Sequence, residues 1–172
     1  KIDLQTLLGV MRAGFVSAQI IPLFCGSATK LVSVKDLIDF ICLNAKTASE
    51  SKFVNENSAT PLALIFKTTS EPGMGQMNYV KVYYGKLKPG IDIQNITRNT
   101  TERIGQLVFL QGKKRVETTE ILAGDIGAII KLKDTRTNDL LGDKNLVDKV
   151  SRINFPEPLT EMAVVAKSKG EE

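Results

Sequence analysis

A few short stretches of this chain carry side chains that could do chemistry. Phe24-Cys25-Gly26-Ser27-Ala28-Thr29-Lys30 closes an apolar run, Ala18 to Phe24, and opens onto a helical pattern. Small residues at such a turn let a planar ligand approach backbone N–H groups, and α/β folds bind ligands at the carboxyl ends of their strands. Taken alone, Ser27 and Ala28 are more simply an ordinary strand-to-helix turn. Lys113-Lys114-Arg115 is the densest run of cations. It reads as a loop between strands that either contacts phosphates or is simply solvated. Tyr79, Tyr83 and Tyr84 could stack on nucleobases, although their alternation along a strand favours packing. Gly73 and Gly75 flank Met74, and with no helix following them a hairpin turn fits better than a phosphate cradle.

What is missing narrows the chemistry further. The chain has no histidine, which removes Ser-His-Asp and Cys-His nucleophile pairs and any imidazole base. Two cysteines, Cys25 and Cys42, are too few for a disulfide scaffold or, without histidine, a zinc site. Both lie among apolar residues and are expected to be buried thiols. Asp and Glu total 19, but no spacing singles out an acid/base pair, so no complete active site and no metal are expected. The net charge of +4 is either a solubilising surface or the footprint of a polyanion, most simply RNA. No run reaches the roughly 18 apolar residues of a membrane span, and the N-terminus lacks the pattern of a signal peptide. A cytoplasmic protein without a membrane partner is therefore expected.

The elements that must position these residues follow from periodicity. Ile2, Leu4, Leu7, Leu8 and Met11 predict a helix over 2–12, with Gly14 as its stop. Ala18 to Phe24 predicts a buried strand. Val34, Leu37, Ile38, Ile41 and Cys42 predict a second helix over 34–43, with Ser33 as N-cap and Asp36 in its first turn. Helix, strand, helix is the tail expected of a doubly wound α/β domain. Residues 45–59 are small and polar without a period, as in a linker.

From Thr60 the period becomes two. Strands are expected at 62–69, 76–84, around Ile91 and Ile93, at 101–110, at Ile121-Leu122, at 126–132 and at 139–141. Lys88-Pro89-Gly90 and Gly124-Asp125 supply turns. Short strands at such spacing predict a mainly β fold, a closed antiparallel β-barrel over 60–153, with a β-sandwich as the alternative. Phe155-Pro156-Glu157-Pro158 breaks the pattern, and Leu159 to Ala166 reads as one more strand. The apolar faces of Ile20, Ile21 and Leu23 are expected to be exposed.

In this order the segments resemble elongation factor G, of the translational GTPase family. The resemblance runs from about Ile21 to Gly170. It rests on Ile21-Pro22-Leu23-Phe24-Cys25-Gly26-Ser27-Ala28-Thr29-Lys30 followed by Val34-Lys35-Asp36-Leu37-Ile38-Asp39, and on Val82-Tyr83-Tyr84-Gly85-Lys86-Leu87-Lys88-Pro89-Gly90. It rests also on Glu102-Arg103-Ile104-Gly105-Gln106-Leu107, Ala123-Gly124-Asp125-Ile126-Gly127-Ala128, Leu132-Lys133-Asp134-Thr135-Arg136-Thr137 and Phe155-Pro156-Glu157-Pro158. It implies a piece of a larger protein: residues 1–44 end a GTPase domain, 45–59 link, 60–153 form barrel domain II, and 154–172 begin domain III. It implies a ribosome-dependent GTPase that drives translocation, with a barrel that docks on small-subunit RNA and protein.

Ser27 and Ala28 would belong to the guanine pocket for GTP or GDP in the intact protein, and Lys113, Lys114 and Arg115 would help contact ribosomal RNA. The phosphate loop G-x-x-x-x-G-K-[ST] and the N-K-x-D motif are absent, so this fragment alone is expected to bind neither GTP nor GDP. Asp139-Leu140-Leu141-Gly142 fits the loose D-x-x-G form but in the wrong order. Two departures stand out. Leu43-Asn44-Ala45-Lys46 replaces the family's Leu-Pro-Ser-Pro, and Thr137-Asn138-Asp139-Leu140-Leu141 replaces Thr-Gly-Asp-Thr-Leu. Asn tolerates a left-handed turn almost as Gly does. The alternatives are a ribosome-protection or release-factor GTPase of the same architecture, or a stand-alone β-barrel that binds nucleic acid or protein.

Overall fold

The computed structural model describes residues 3–71, 75–112 and 114–165. Helix α1 spans Leu4–Val16 and is capped by Asp3, whose Oδ1 accepts from the Thr6 N–H at 2.8 Å. It runs through Gly14 rather than stopping there, and ends where Ala18 turns left-handed at φ 58°. Helix α2 spans Val34–Asn44, with Asp36 in its first turn. Ser33 precedes it with φ 57° and makes no side-chain cap bond.

Residues 18–24 form no strand, contrary to the periodicity. An extended apolar segment becomes a strand only when neighbours satisfy its backbone groups, and among the described residues none lies beside it. Ile21 and Leu23 are accordingly about 90% exposed (89% and 90%), as expected for an uncovered face. Cys25 and Cys42 are exposed free thiols, not buried ones, for the same reason. Gly14 and Asn44 are the only buried residues between positions 3 and 50. What holds this part is Phe40, whose ring meets Phe15 edge-on at 5.2 Å and Phe24 at 5.3 Å.

The polar stretch that follows is a strap with structure of its own. A 3-10 turn at Ala48–Glu50 is closed by a capping box between Thr47 and Glu50. Beyond it Val54 packs on the main core. The Asn55 N–H donates to Tyr83 O at 2.9 Å, and Asn55 O accepts from the Gly85 N–H at 2.9 Å. Arg12 reaches back to Glu50 at 2.7 Å and ties α1 to the strap. That bond, with the Thr47 N–H, lowers the Glu50 carboxyl from its ordinary 4.5 to about 2. A depressed carboxyl stabilises its contact fully above 4.5 and loses it as pH falls through 2. The Glu50 carboxyl carbon should therefore titrate by NMR with a midpoint near 2. In Arg12→Ala the midpoint should return toward the ordinary value; an unmoved midpoint would mean that the ion pair does not form.

The remainder is antiparallel sheet. Its strands are β1 Leu62–Glu71, β2 Gly75–Tyr84, β3 Lys86–Leu87, β4 Asp92–Asn95, β5 Thr100–Arg103, β6 Leu107–Gln111, β7 Lys114–Thr118, β8 Ile121–Leu122, β9 Ile126–Ile130 and β10 Leu140–Gly142. Eight pair in the order β5-β4-β10-β1-β2-β9-β6-β7, and β3 pairs with β8 as a separate ribbon. Ala63, Ile65, Val80 and Val82 point into one core with Leu87, Ile93, Ile104, Leu107, Ile121, Ile129 and Leu141. That core draws on both halves of the sheet, so the sheet curls around it.

The ladders do not close the expected ring: among the described residues β5 and β7 are sheet ends with no ladder between them. The single strand expected over 101–110 is two. The corner Ile104-Gly105-Gln106 carries the chain from β5 at one end of the sheet to β6 near the other, and the Ile130 N–H donates to Gln106 O at 3.0 Å. Covalent connection and a shared core hold the two ends, where a ladder was expected.

Past β10, a 3-10 turn at Lys144–Lys149 leads to residues 151–165, which form no strand. The strand expected at 159–166 is thus not seen over 159–165, and Ala166 lies outside the described residues. Leu159, Met162, Val164 and Val165 are almost fully exposed. No described helix is long and apolar enough to cross a membrane.

Candidate nucleic-acid interface

Two of the three cations of the run, Lys114 and Arg115, sit on a strand rather than in a loop. Lys114 and Arg115 begin β7, where Lys114 pairs with Gln111 and Arg115 with Leu110; Lys113 lies outside the described residues. Every residue from Lys114 to Glu117 is exposed, and Val116 is the one large apolar side chain among them, at 43% exposure. An exposed edge strand needs no apolar alternation, so periodicity could not reveal it. Charged side chains also keep such an edge from pairing with other chains. Chemically, the strand places the exposed Lys114 and Arg115 beside a backbone edge that joins no further ladder among the described residues.

The Ser-Ala turn is built differently from a strand end. Ser27 and Val32 exchange two backbone hydrogen bonds, Ser27 N–H to Val32 O at 3.1 Å and Val32 N–H to Ser27 O at 3.0 Å. Ser27 Oγ also accepts from the Lys30 N–H at 3.3 Å. Gly26 is required by close approach, because a Cβ there would meet Val32 O at 2.5 Å. Ser27, Ala28, Phe24, Val34 and Leu37 line a shallow opening of about 190 Å³. Ser27 thus spends its own backbone on the turn, and Ala28 sits exposed at the rim.

The tyrosines pack. Tyr83 and Tyr84 lie against Leu62, Leu64, Leu140 and Val150, while Tyr79 lies against Met77, Val108, Ala128 and Ile130. Gly75, at φ 80°, pairs with Glu71 in the β1–β2 hairpin; Gly73 and Met74 are outside the described residues. Among the described residues no group of three or more Cys, Asp or Glu side chains is placed to hold a metal ion.

A buried polar cluster was missed. Glu102 is 3% exposed and accepts from the Lys133 N–H at 3.1 Å, the Asp134 N–H at 2.8 Å and the Thr135 hydroxyl at 2.8 Å. Asp139, 2% exposed, accepts through one oxygen from Asn95 Nδ2 at 3.0 Å, Arg98 Nε at 2.6 Å and the Arg136 N–H at 2.9 Å. Asn95 also donates to Thr135 Oγ1 at 3.1 Å. Together they hold the β9–β10 loop rigid and present Lys131, Lys133 and Arg136 outward. One signal was available: Glu102 shares an alternation face with core residue Ile104, and a carboxylate in an inward slot must find donors. The Asp139-x-x-Gly142 match is this structural cluster.

Asn138 adopts φ 74°, as its place opposite the family's glycine requires. Its side chain adds what glycine cannot. Nδ2 donates to Ile153 O and Oδ1 accepts from the Ile153 N–H, both at 2.8 Å.

Residues 61–144 match the model of elongation factor G domain 2. The chain carries the second domain of the elongation factor G family. Elongation factor G of Chlamydia trachomatis serovar D is 35% identical over 176 residues, covering 94% of this chain and 25% of that protein. Elongation factor G of Petrotoga mobilis is 33% identical over 187 residues, covering 100% of this chain and 27% of its own. The chain therefore spans about a quarter of the length of the curated relatives it matches. A crystal structure of a Thermus thermophilus protein superposes with TM-score 0.73 at 24% identity, over 92% of this chain and 24% of that one, which shows likeness of fold. The fold is mainly β and antiparallel, with the elongation factor G domain 2 at its centre.

Proposed function

We propose that this chain is a segment of a ribosomal translocation factor, in which the curled β domain docks on the small ribosomal subunit and relays that contact to a GTPase domain. In this reading residues 1–44 end the GTPase domain, 45–59 link, 60–153 are the docking β domain and 154–172 begin the next domain. The observation that carries it is the continuous similarity of the whole chain to Petrotoga mobilis elongation factor G. Uncovered apolar side chains at both ends, Ile21 and Leu23 on one side and Leu159 to Val165 on the other, support neighbours that the intact protein supplies. Ala28 and Ser27 then belong to a guanine pocket completed by the phosphate loop and N-K-x-D segments of that domain, which holds GTP or GDP. The protein works in the cytoplasm, where ribosomes are.

Lys113, Lys114 and Arg115 are proposed to meet ribosomal RNA phosphates. Co-sedimentation of the chain with small ribosomal subunits across a salt series tests this. Reversing all three charges to Glu should weaken binding at least about tenfold and reduce the slope of log affinity against log salt by about two to three. An unchanged slope would remove these residues from the interface. No sedimentation of the unaltered chain at low salt would remove the docking role itself.

A further inference from the structure

One open cavity belongs neither to the cationic edge strand nor to the Ser-Ala turn. It is an open pocket of about 370 Å³ between the strap, the outer face of β2 and the end of the last 3-10 turn. Its lining includes Phe53 and Tyr83, Lys81 and Lys149, Ser51 and Ser151, and no carboxylate. Lys81 Nζ lies 5.9 Å from the centre of the Tyr83 ring, and Lys52 Nζ lies 5.3 Å from that of Phe53. Neither Lys81 nor Lys149 has an acidic partner among the described residues. Phe53 is 55% exposed, so its ring is offered to solvent rather than spent on the core.

Both walls are held in place. Asn55 pairs with Tyr83 and Gly85 and pins the strap. Asn138 grips Ile153 through two side-chain bonds, and Arg152 Nε donates to Asn138 O at 3.1 Å, which fixes the chain beside Ser151. A preorganised pocket loses less on binding than one that must order itself.

We infer that this pocket binds a single nucleotide, with the base against Phe53 and Tyr83 and the phosphate on Lys81 and Lys149. Aromatic faces take any base, and unpaired ammonium groups beside them take the phosphate. A bare inorganic anion would leave the rings unused, and an uncharged apolar ligand would leave the lysines unused. The nucleotide is either free or the exposed residue of an RNA strand. The site does not rest on ribosome docking, and its residues are distinct from Lys113 to Arg115.

Titration of the whole chain with adenosine 5′-monophosphate, adenosine, inorganic phosphate and an unstructured hexaribonucleotide at low salt tests the inference. Saturable binding of the monophosphate or the hexamer is expected, with adenosine and phosphate each at least about tenfold weaker. Tighter hexamer binding assigns the site to RNA; equal or tighter monophosphate binding assigns it to free nucleotide. The double variant Lys81→Gln and Lys149→Gln should lose about tenfold or more, and Phe53→Ala several-fold. All three positions are solvent-accessible, so these variants keep the fold, which circular dichroism checks. No saturable binding of either ligand, or binding indifferent to the lysine pair and Phe53, overturns the inference.

Discussion

Asp139→Ala is expected to destabilise the β domain by about 3–5 kcal/mol, the range for breaking a buried ion pair from one side. Asp139 is 2% exposed, and one of its oxygens serves three donors. The loss is not uniform among them. Arg98 has a side chain 36% exposed and can rehydrate. The Asn95 amide lies in a residue with no exposure, so it cannot reach water and bears the cost of an unmet donor, about 1–3 kcal/mol. Arg98→Ala should therefore cost less, about 2 kcal/mol, because the carboxylate keeps its other two donors. Urea unfolding followed by circular dichroism would show the Asp139→Ala midpoint shifted with little change in slope. A loss below about 1 kcal/mol would mean that the loop is held by Glu102 alone.

Gly142→Ala should be of similar size, roughly 3–5 kcal/mol, for a different reason. Gly142 has φ 138°, and a Cβ there would collide with the Pro61 carbonyl oxygen and approach the Leu62 Cα to 2.9 Å. Both obstacles are backbone, so no side-chain rotation relieves them. The position is also where β10 pairs with β1, Gly142 opposite Leu62. Relief would require that register to break, and with it the burial of Leu62, Leu140 and Leu141. In a thermal melt the domain transition should fall by roughly 12–40 °C. Gly90→Ala is the contrast: it too is left-handed, at φ 81°, but meets nothing within 4 Å, so it should cost only about 1–2 kcal/mol. Equal effects at the two glycines would show that φ, not the close approach, sets the cost.

Much of the architecture was readable in the order of residues. The inward face of β2, Val80 and Val82, follows from alternation and is fully buried. Gly90 and Gly124 sit at positive φ, as the turns they mark require. Helix α2 begins at the predicted residue and ends one later. Asn138 takes the left-handed turn that its place in the family pattern demands. The elongation factor G likeness over the β domain was visible in short motifs and agrees with the matched domain at 61–144.

The failures share a cause. Residues 18–24 carry the pattern of a buried strand and form none, and Cys25 and Cys42 stand exposed, because burial belongs to a pair of surfaces rather than to a segment. β7 is a strand without an apolar pattern, since an exposed edge needs only a backbone partner. Its status moved Lys114 and Arg115 from a loop to a strand.

Periodicity, turn residues and glycine positions act over a few residues, and there the sequence by itself determined the strands of the core, the second helix and the family. Ladder order, the corner at 104–106 that stands in for a closed ring, the donors gathered on Glu102 and Asp139, and the pocket between strap and β2 join residues far apart in the chain. Only the tertiary structure decided them, because each depends on which surfaces the folded chain brings together.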